Sequence, residues 1–246
     1  MKVIMPLAGN GQRFFDEGYE LPKPLIDING IPMFKRVINN LGLDSTDKDL
    51  NFIIQEQHAI HYQLDVKIRD YYPHCNIIMT PGLTDGAATT VRLATNVFNS
   101  NQFVVANCDQ LMVWDKNKLL NLIDEDKWKG GIIPCFKPKH NQPIHSYVKV
   151  NENNEVIDLK EKELISNIAT VGVYYFNNET QWCSAYEDMK SANDKTNNEY
   201  YLAPTYNYLK EKSTILMVDE MIGMGTPTEL DLLKNSEWWD KLDEIS

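Results

Sequence analysis

Short apolar runs that end in polar or glycine-containing turns recur through the first half of the chain. The first run ends at the turn Gly9-Asn10-Gly11, which is typical of a buried strand entering a tight turn. Apolar residues at helical spacing follow the runs. The pattern predicts strands and helices over these segments: strands at 2–8, 51–55, 76–80 and 103–107, and helices at 34–42, 56–71 and 86–98. Alternation of this kind favours a mostly parallel sheet with helices on both faces.

Beyond residue 130 the apolar runs are separated mainly by polar turns, which indicates a mixed and partly antiparallel second half. The pattern there predicts these elements: strands at 131–136, 146–150, 156–159, 170–176 and 214–218, and helices at 178–193, 198–211 and from about 226. No proline-rich or serine-rich linker and no internal repeat separates the two halves. We therefore predict one α/β domain over residues 1–246, with a single central sheet.

The size of the chain, 246 residues, is enough to bury an apolar core without disulfide bonds. The four cysteines show neither zinc-site spacing nor a disulfide framework, and they are Cys75, Cys108, Cys135 and Cys183. No apolar run reaches the length of about 18 residues that a membrane span needs, and the first residues do not resemble a signal peptide. We expect no membrane partner and a cytoplasmic location.

The chain is acidic, with 35 aspartates and glutamates against 24 lysines and arginines, and its net charge is −11 at pH 7. A surface this negative repels nucleic acid unless basic groups are concentrated, so we expect no nucleic-acid partner. A small anionic ligand is still compatible with this charge, because a few cations, backbone amides and Mg²⁺ reverse the sign of the field inside one pocket.

The glycine turn Gly9-Asn10-Gly11 follows the first predicted strand directly, at the edge of the sheet where open α/β folds bind ligands. Its glycines allow the backbone to approach a phosphate closely and present N–H groups to it. Arg13 lies two residues beyond the turn, and the rigid segment Pro22-Lys23-Pro24 supplies a second cation. Either segment alone is typical of an ordinary loop, but together they indicate a phosphate-binding site.

The segment LAGNGQRF at 7–14 and the segment PKPLI at 22–26 resemble the signature of the nucleotidyltransferases, or pyrophosphorylases, that make nucleotide sugars. The usual signature is LAGGxGxRL followed by PKPL, so Asn10 here replaces a glycine. The resemblance implies a Rossmann-like three-layer α/β/α fold of the nucleotide-diphospho-sugar transferase type, with a central mixed, mostly parallel sheet. It also implies a nucleotide-binding half at about 1–130, an acceptor-binding half at about 131–246, and a nucleotide loop formed by Leu7, Ala8, Gly9, Asn10 and Gly11.

The resemblance continues in the expected order along nearly the whole chain. It implies that Gly86 and Ala87 lie against the nucleobase, and that Asp109 binds both the nucleotide and a metal ion. It places four further residues at the acceptor, and they are Glu161, Lys162, Gly172 and Glu199. The segment GTP at 225–227 matches the closing segment of the family. Taken alone, each of these residues is typical of packing, a strand end or the surface, so the evidence lies in their order.

One departure concerns the metal ion. The family commonly has an aspartate or asparagine two residues before the glycine of the closing segment, and this chain has Gly223 there. Asp219, Glu220 or a water are the candidate substitutes. We favour Asp219, because it follows the predicted strand 214–218 and so lies toward the same rim of the sheet as Asp109. The resulting hypothesis is Mg²⁺ as cofactor, bound by Asp109 and Asp219.

The activity that the resemblance implies is transfer of NMP from an NTP to a sugar 1-phosphate, with Arg13, Lys23 and Asp109 as the catalytic residues. The expected partners are an NTP and a small phosphorylated substrate, and a homo-oligomer is compatible with the sequence. A cytidylyltransferase acting on a phosphate such as phosphocholine is an alternative. A glycosyltransferase is disfavoured, because Asp109 is followed by Gln110-Leu111 and not by a DxD motif. A non-catalytic nucleotide sensor is a third alternative, given Gly223.

Overall fold

The computed structural model describes residues 1–43, 45–98 and 102–246, and the side chains of 96–98 are outside the description. The strands are β1 (Lys2–Leu7), β2 (Asp27–Ile28), β3 (Ile31–Pro32), β4 (Leu50–Gln55), β5 (Asn76–Thr80), β6 (Phe103–Ala106), β7 (Gln110–Val113), β8 (Gly131–Phe136), β9 (Ser146–Val150), β10 (Val156–Glu161), β11 (Ala169–Thr170), β12 (Val173–Phe176), β13 (Ser213–Met217) and β14 (Glu220–Gly223).

The α-helices are α1 (Gln12–Asp16), α2 (Met33–Leu41), α3 (Glu56–Tyr62), α4 (Leu64–Tyr71), α5 (Ala87–Phe98), α6 (Lys116–Asp124), α7 (Glu179–Ser191), α8 (Pro227–Lys234) and α9 (Leu242–Ile245). Short 3₁₀ segments lie at Lys23–Leu25, Asp47–Asp49 and Ala203–Tyr208. In the described part of the chain, no helix has the length and apolarity that crossing a membrane requires.

The central sheet is mixed, as the sequence predicts. Its strand order is β10-β9-β11-β8-β12-β6-β1-β4-β5, and β13 pairs with β8 outside this path. Strands β6, β1, β4 and β5 are parallel, whereas β12 runs antiparallel to both β6 and β8. The parallel strands are joined by helical crossovers, and their carboxyl ends meet at one edge of the sheet. That edge carries the glycine turn and Asp109.

Side chains of β1 alternate between two apolar cores, one on each face of the sheet, because successive residues of a strand point in opposite directions. Met5 belongs to a core with Phe34 of α2 and Ile68 of α4. Ile4 belongs to the opposite core, with Val91 of α5 and Trp182 of α7. The sheet is therefore the middle layer of three, as the sequence pattern and the family resemblance predict.

Two helix predictions were wrong in their extent. The predicted helix 56–71 is divided into α3 and α4 at Gln63, whose φ of 54° is left-handed. The predicted helix 198–211 is a 3₁₀ segment, Ala203–Tyr208, preceded by irregular backbone. The N–H of Tyr200 donates to the carbonyl of Asp85 at 2.7 Å, so tertiary hydrogen bonds replace the helical ones there.

The antiparallel pair β7 and β14 was not predicted from the sequence. It places Gly223 opposite Gln110, directly after Asp109. The N–H of Met224 also donates to the backbone carbonyl of Asp109, at 2.7 Å. The chain that leads into α8 therefore lies beside the end of β6, which is the strand that positions Asp109.

Candidate active site

A cavity of about 240 Å³ lies at the carboxyl ends of β1 and β6. This is the edge at which open α/β sheets bind ligands. It brings together most of the residues that the sequence assigns to the nucleotide and the catalytic groups. Those on its wall are Leu7, Ala8, Gly9, Lys23, Gly86, Ala87, Asp109 and Glu199. Glu199 is predicted at the acceptor, but it lies on the wall of this first cavity. The order of motifs in the sequence does not show which of two adjoining cavities a residue lines.

The glycine turn is fixed by a side chain that sequence reasoning missed. Gln55, fully buried at the end of β4, donates from Nε2 to the carbonyl of Ala8 at 2.6 Å and to Oδ1 of Asn10 at 2.8 Å. Asn10 therefore replaces a family glycine with a side chain that is tied to the neighbouring strand. Gly11 has a left-handed φ of 65°, and it packs against the backbone of Lys23. Asn10 and Gly11 shape the turn, while Gly9 reaches the cavity wall.

Lys23 and Asp109 form an ion pair inside the cavity. Nζ of Lys23 lies 2.8 Å from Oδ2 of Asp109, and the two side chains are 26% and 15% exposed. Burial lowers the pKa of Lys23 and is the largest single influence on it, but the charge of Asp109, its hydrogen bond and the neighbouring Cys108 together outweigh burial, and the pKa of Lys23 is raised above its ordinary value. Lys23 is therefore a fixed positive charge at physiological pH, held by the proline-flanked 3₁₀ turn.

The second carboxylate oxygen of Asp109, Oδ1, is buried and has no hydrogen-bond partner among the described residues. A buried carboxylate oxygen without a donor is unfavourable, and a divalent cation satisfies it. The neighbouring Cys108 does not compete as a ligand, because burial raises the pKa of its thiol to about 12 and keeps it protonated. Asp109 thus has the chemistry of a Mg²⁺ ligand.

Arg13 is exposed on the short helix α1, directly after the glycine turn. Its charge is close enough to Lys23 to oppose the rise in the pKa of that residue. Within residues 1–43, 45–98 and 102–246, no carboxylate forms an ion pair with it. Arg13 is therefore an exposed cation whose charge acts on Lys23 but which does not line the cavity, and it has no carboxylate partner in the described part of the chain.

A smaller cavity of about 120 Å³ adjoins the first, since Ala87 and Asn107 line both. Its wall brings together Glu161 and Gly172, two of the residues for which the sequence predicts an acceptor role, and it also carries hydroxyl groups that were not predicted. These are Ser146, Thr170, Tyr174 and Tyr201. Hydroxyl and carboxylate groups in a small cavity are suited to hydrogen bonding with a polyhydroxylated ligand.

Glu161 is a half-buried acid in this smaller cavity. Burial raises its pKa, although the hydrogen bond that Ser146 Oγ donates to it works against that rise. Lys162, in a left-handed conformation with a φ of 54°, donates to the hydroxyl of Tyr201 at 2.8 Å, and its charge also opposes the rise in the pKa of Glu161. Of the predicted pair, Glu161 therefore lines the cavity with its own carboxylate, whereas Lys162 is connected to the cavity wall by its hydrogen bond to Tyr201.

Two predicted glycines are required by close contacts. Gly86 has a φ of 126°, and a Cβ there would overlap the backbone of Tyr200. Gly172 has a φ of 79°, and a Cβ there would overlap the side chain of Gln110. The absence of a side chain at these positions lets the loop at 82–86 and the chain between β11 and β12 approach their neighbours. Gly172 is also the point at which the predicted strand 170–176 divides into β11 and β12.

Asp219 lies elsewhere. It lines a separate cavity of about 580 Å³, together with Lys137, His145 and Glu229, and that cavity does not include Asp109. The N–H of Asp219 donates to the carbonyl of Val113 at 2.9 Å, which fixes the start of β14. The structure therefore does not bring Asp219 and Asp109 together on one cavity wall.

Solved structures show the class of fold. The nucleoside-diphosphate-sugar pyrophosphorylase from Vibrio cholerae RC9 is similar with a TM-score of 0.79, over 95% of this chain and 100% of that chain, at 22% sequence identity. The inositol-1-phosphate CTP transferase from T. maritima is similar with a TM-score of 0.73, over 99% of this chain and 95% of that chain, at 17% identity. The fold is thus that of the nucleotide-diphospho-sugar transferases, as predicted.

The family is equally clear. The model of the nucleotidyl transferase family matches residues 2–220, so the chain belongs to that family. The bifunctional protein GlmU of Methanococcus aeolicus is 26% identical over 183 residues, which are 72% of this chain and 40% of GlmU. GlmU of Methanocaldococcus jannaschii is 27% identical over 180 residues, with the same coverage. The aligned region thus spans about 40% of the length of these curated relatives.

Proposed function

We propose that this protein transfers NMP from an NTP to a sugar 1-phosphate, releasing pyrophosphate and forming a nucleotide sugar. The observation that carries the proposal is a pair of adjoining cavities. One has a glycine turn, Lys23 and Asp109 on its wall, and the other has Glu161 and several hydroxyl groups. A triphosphate in the first cavity and a sugar phosphate in the second would meet at Ala87 and Asn107.

The main obstacle to this reaction is repulsion between anions. The oxygens of a phosphate monoester are ionised near pH 7, so no general base is needed to generate the nucleophile. Two unit charges 4 Å apart repel by about 4 kcal/mol at an effective dielectric constant of about 20. The charge of Lys23 near the α-phosphoryl group offsets this repulsion. Arg13 and the amides of the glycine turn hold the β- and γ-phosphates as they leave.

The reaction exchanges one phosphorus–oxygen bond for another. An oxygen of the acceptor phosphate forms a bond to the α-phosphorus, and the bond from the α-phosphorus to the bridging oxygen of pyrophosphate breaks in line with it. Asp109 is the residue that would hold Mg²⁺, through the oxygen that has no partner in the described structure. When bound, Mg²⁺ supplies positive charge to the phosphate oxygens.

The acceptor is held by the smaller cavity. Glu161 and Ser146 Oγ, whose own hydrogen is donated to Glu161, accept hydrogen bonds from sugar hydroxyl groups, while Tyr201 and Lys162 form a polar edge. The shared wall at Ala87 and Asn107 leaves the phosphate of the acceptor facing the first cavity. Glu199, which lies on that first cavity, is then closer to the nucleotide than the family resemblance implies.

The proposal is tested by assaying pyrophosphate release from the four NTPs and dTTP, each with a set of sugar 1-phosphates and with phosphocholine. We expect release with at least one sugar 1-phosphate. Release only with CTP and phosphocholine would establish a cytidylyltransferase instead. Sugar transfer from a nucleotide sugar to an acceptor would establish a glycosyltransferase, and nucleotide binding without any release would establish a sensor.

Arg13→Ala gives the test of the catalytic site. We expect kcat/KM to fall by about 100-fold or more, since one lost transition-state donor costs about 3 kcal/mol. Thermal stability should change little, because Arg13 is exposed. Arg92→Ala is the matched control, because that arginine pairs with Glu187 on the surface and lies on neither cavity. Full activity of Arg13→Ala would contradict its assigned role.

A further inference from the structure

The carboxylate of Glu229 fills the space that a side chain at Gly223 would occupy. A Cβ built on Gly223 would lie 2.9 Å from Oε1 of Glu229. A Cβ built on Gly225 would lie 2.8 Å from Oδ2 of Asp109 and 3.3 Å from Oε2 of Glu229. The two carboxylates therefore converge on one small region beside the backbone of Gly225.

We propose that Glu229, from the first turn of α8, is the second protein carboxylate for the divalent cation, together with Asp109. This inference rests on the proposed function, which requires a cation at Asp109. Glu229 lies six positions after Gly223, and it would supply the metal ligand that a glycine, which has no side chain, is unable to supply. Glu229 also lines the separate cavity that holds Asp219, but its carboxylate reaches the space beside Gly225, next to Asp109, so we assign the second carboxylate to Glu229 in place of Asp219.

The surroundings of the two carboxylates support a cation. Oδ1 of Asp109 is buried and has no partner among the described residues, and Lys23 compensates only the other oxygen, Oδ2. Placing Glu229 near this carboxylate is unfavourable unless a cation offsets the like charges. Mg²⁺ commonly takes one or two carboxylates and keeps several waters. In the described residues no three acidic, histidine or cysteine side chains form a metal cluster, so two protein carboxylates plus water is the arrangement that fits.

The position of Glu229 is fixed by its helix and by two glycines. Thr226 caps α8 by accepting from the N–H of Glu229 at 3.1 Å, and the N–H of Gly225 donates to Oε2 of Glu229 at 2.9 Å. Side chains at 223 or 225 would displace this carboxylate. The glycines at 223 and 225 therefore leave the space between the carboxylates of Glu229 and Asp109 without a side chain of their own.

Helix capping is the alternative explanation for Glu229, since a glutamate three residues after a capping threonine commonly bonds to the preceding backbone. Capping needs only an oxygen acceptor, whereas metal binding at this site needs the negative charge. Glu229→Gln keeps an oxygen that accepts from the N–H of Gly225 and removes the charge. This substitution therefore separates the two explanations.

The experiment measures Mn²⁺ binding to the purified protein from the electron paramagnetic resonance signal of free Mn²⁺. We expect Glu229→Gln and Asp109→Asn each to weaken Mn²⁺ binding at least tenfold, with an unchanged melting temperature for Glu229→Gln. Asp219→Asn and the control Asp231→Asn should bind Mn²⁺ as the wild type does. Asp231 is the matched control, because it lies on the same helix with its side chain 68% exposed.

A rescue experiment adds a second readout. Glu229→Ala combined with Gly223→Asp should recover Mn²⁺ affinity, because removing Glu229 clears the space for the new carboxylate. Gly223→Asp alone should not increase affinity, since Glu229 fills that space. Wild-type Mn²⁺ affinity in Glu229→Gln, or loss of affinity in Asp219→Asn alone, would overturn the inference. Pyrophosphate release is assayed in parallel: its absence with intact, Glu229-dependent Mn²⁺ binding would reject the proposed function and not the metal ligand.

Discussion

Gln55 illustrates how a single buried residue controls the shape of the site. It ends the buried strand β4, directly after the apolar run at 52–54, and its amide ties the carbonyl of Ala8 to the side chain of Asn10. A polar residue at the carboxyl end of a predicted parallel strand is a signal that sequence analysis could have used. Its partner was not predictable, because the two residues are 45 positions apart in the chain.

Gln55→Met removes the amide donor at nearly constant size. We expect KM for the NTP to rise about tenfold with a smaller change in kcat, because a lost buried hydrogen bond costs about 1–3 kcal/mol and the loop becomes less ordered. Adding Asn10→Gly should cost less in this variant than in the wild type, since the two residues interact directly. Initial rates against NTP concentration for the four proteins give this comparison, and strictly additive effects would contradict it.

Glu161 provides a test through pH. Its pKa is raised in the folded protein, so the folded state loses stability as pH rises from the ordinary glutamate pKa through the raised value. Glu161→Gln mimics the protonated form. We expect it to raise the melting temperature more at pH 8 than at pH 5, while it raises KM for the acceptor at pH 8. The exposed neighbour Glu163→Gln is the control, and an equal effect at both pH values would show that burial of the Glu161 charge is not costly.

The residue roles that could not be predicted share a physical cause. The order of motifs assigned Glu199 to the acceptor, and the end of the predicted strand 214–218 assigned Asp219 to the metal. The structure places Glu199 on the first cavity and Asp219 on a separate one. A strand end determines which rim of a sheet a residue approaches, whereas the cavity that its side chain enters depends on the following backbone. The positions of Lys23 and Asp109 were easier to predict, because a proline-flanked turn fixes Lys23 and a strand end fixes Asp109.

At the scale of elements, the loop at 82–86 is fixed by backbone hydrogen bonds to the second half of the chain. The N–H of Tyr200 donates to the carbonyl of Asp85 at 2.7 Å, and the carbonyl of Tyr200 accepts from Ala88 at 3.0 Å. These hydrogen bonds explain why residues 198–202 are not helical, although their composition favours a helix. Apolar periodicity predicted the strands of the central sheet but missed the short pairs β2–β3 and β7–β14, and it contains no information on such pairing between loops.

Gly86→Ala tests this loop. The new methyl group would meet the backbone of Tyr200, and alanine disfavours a φ of 126°. We expect a loss of about 2 kcal/mol or more in the free energy of unfolding, together with weaker nucleotide binding. Gly82→Ala is the matched control in the same loop, since a Cβ there has no neighbour within 4 Å. Denaturant titration and nucleotide binding compare the two variants, and equal stability would contradict the contact.

At the scale of the whole molecule, each apolar core combines residues from both halves of the chain. Ile4 and Val91 of the first half share a core with Trp182 of the second, and Met5 shares the other core with Tyr175. The predicted nucleotide-binding and acceptor-binding halves are therefore not separate packing units. A sheet whose strand β12 lies between β8 and β6 also joins the two halves by hydrogen bonds.

This packing predicts a single cooperative unfolding transition. Tryptophan fluorescence, which includes the buried Trp182, and far-ultraviolet circular dichroism should give coincident denaturation curves. Separate transitions for the two signals would contradict one domain over 1–246 and would support two folding units.

The backbone pairing between Tyr200 and residues 85–88 limits how the protein can be recombined with its relatives. A chimaera joined near residue 130 would combine the loop at 82–86 of one parent with the 200 region of another. We expect such a hybrid to fold only when it has glycine at position 86 and when its backbone at position 200 follows the same course as in this protein. In a chimaera designed for a new combination of nucleotide and acceptor, residues 82–88 and residues 199–202 should therefore come from the same parent, although more than a hundred residues separate the two segments.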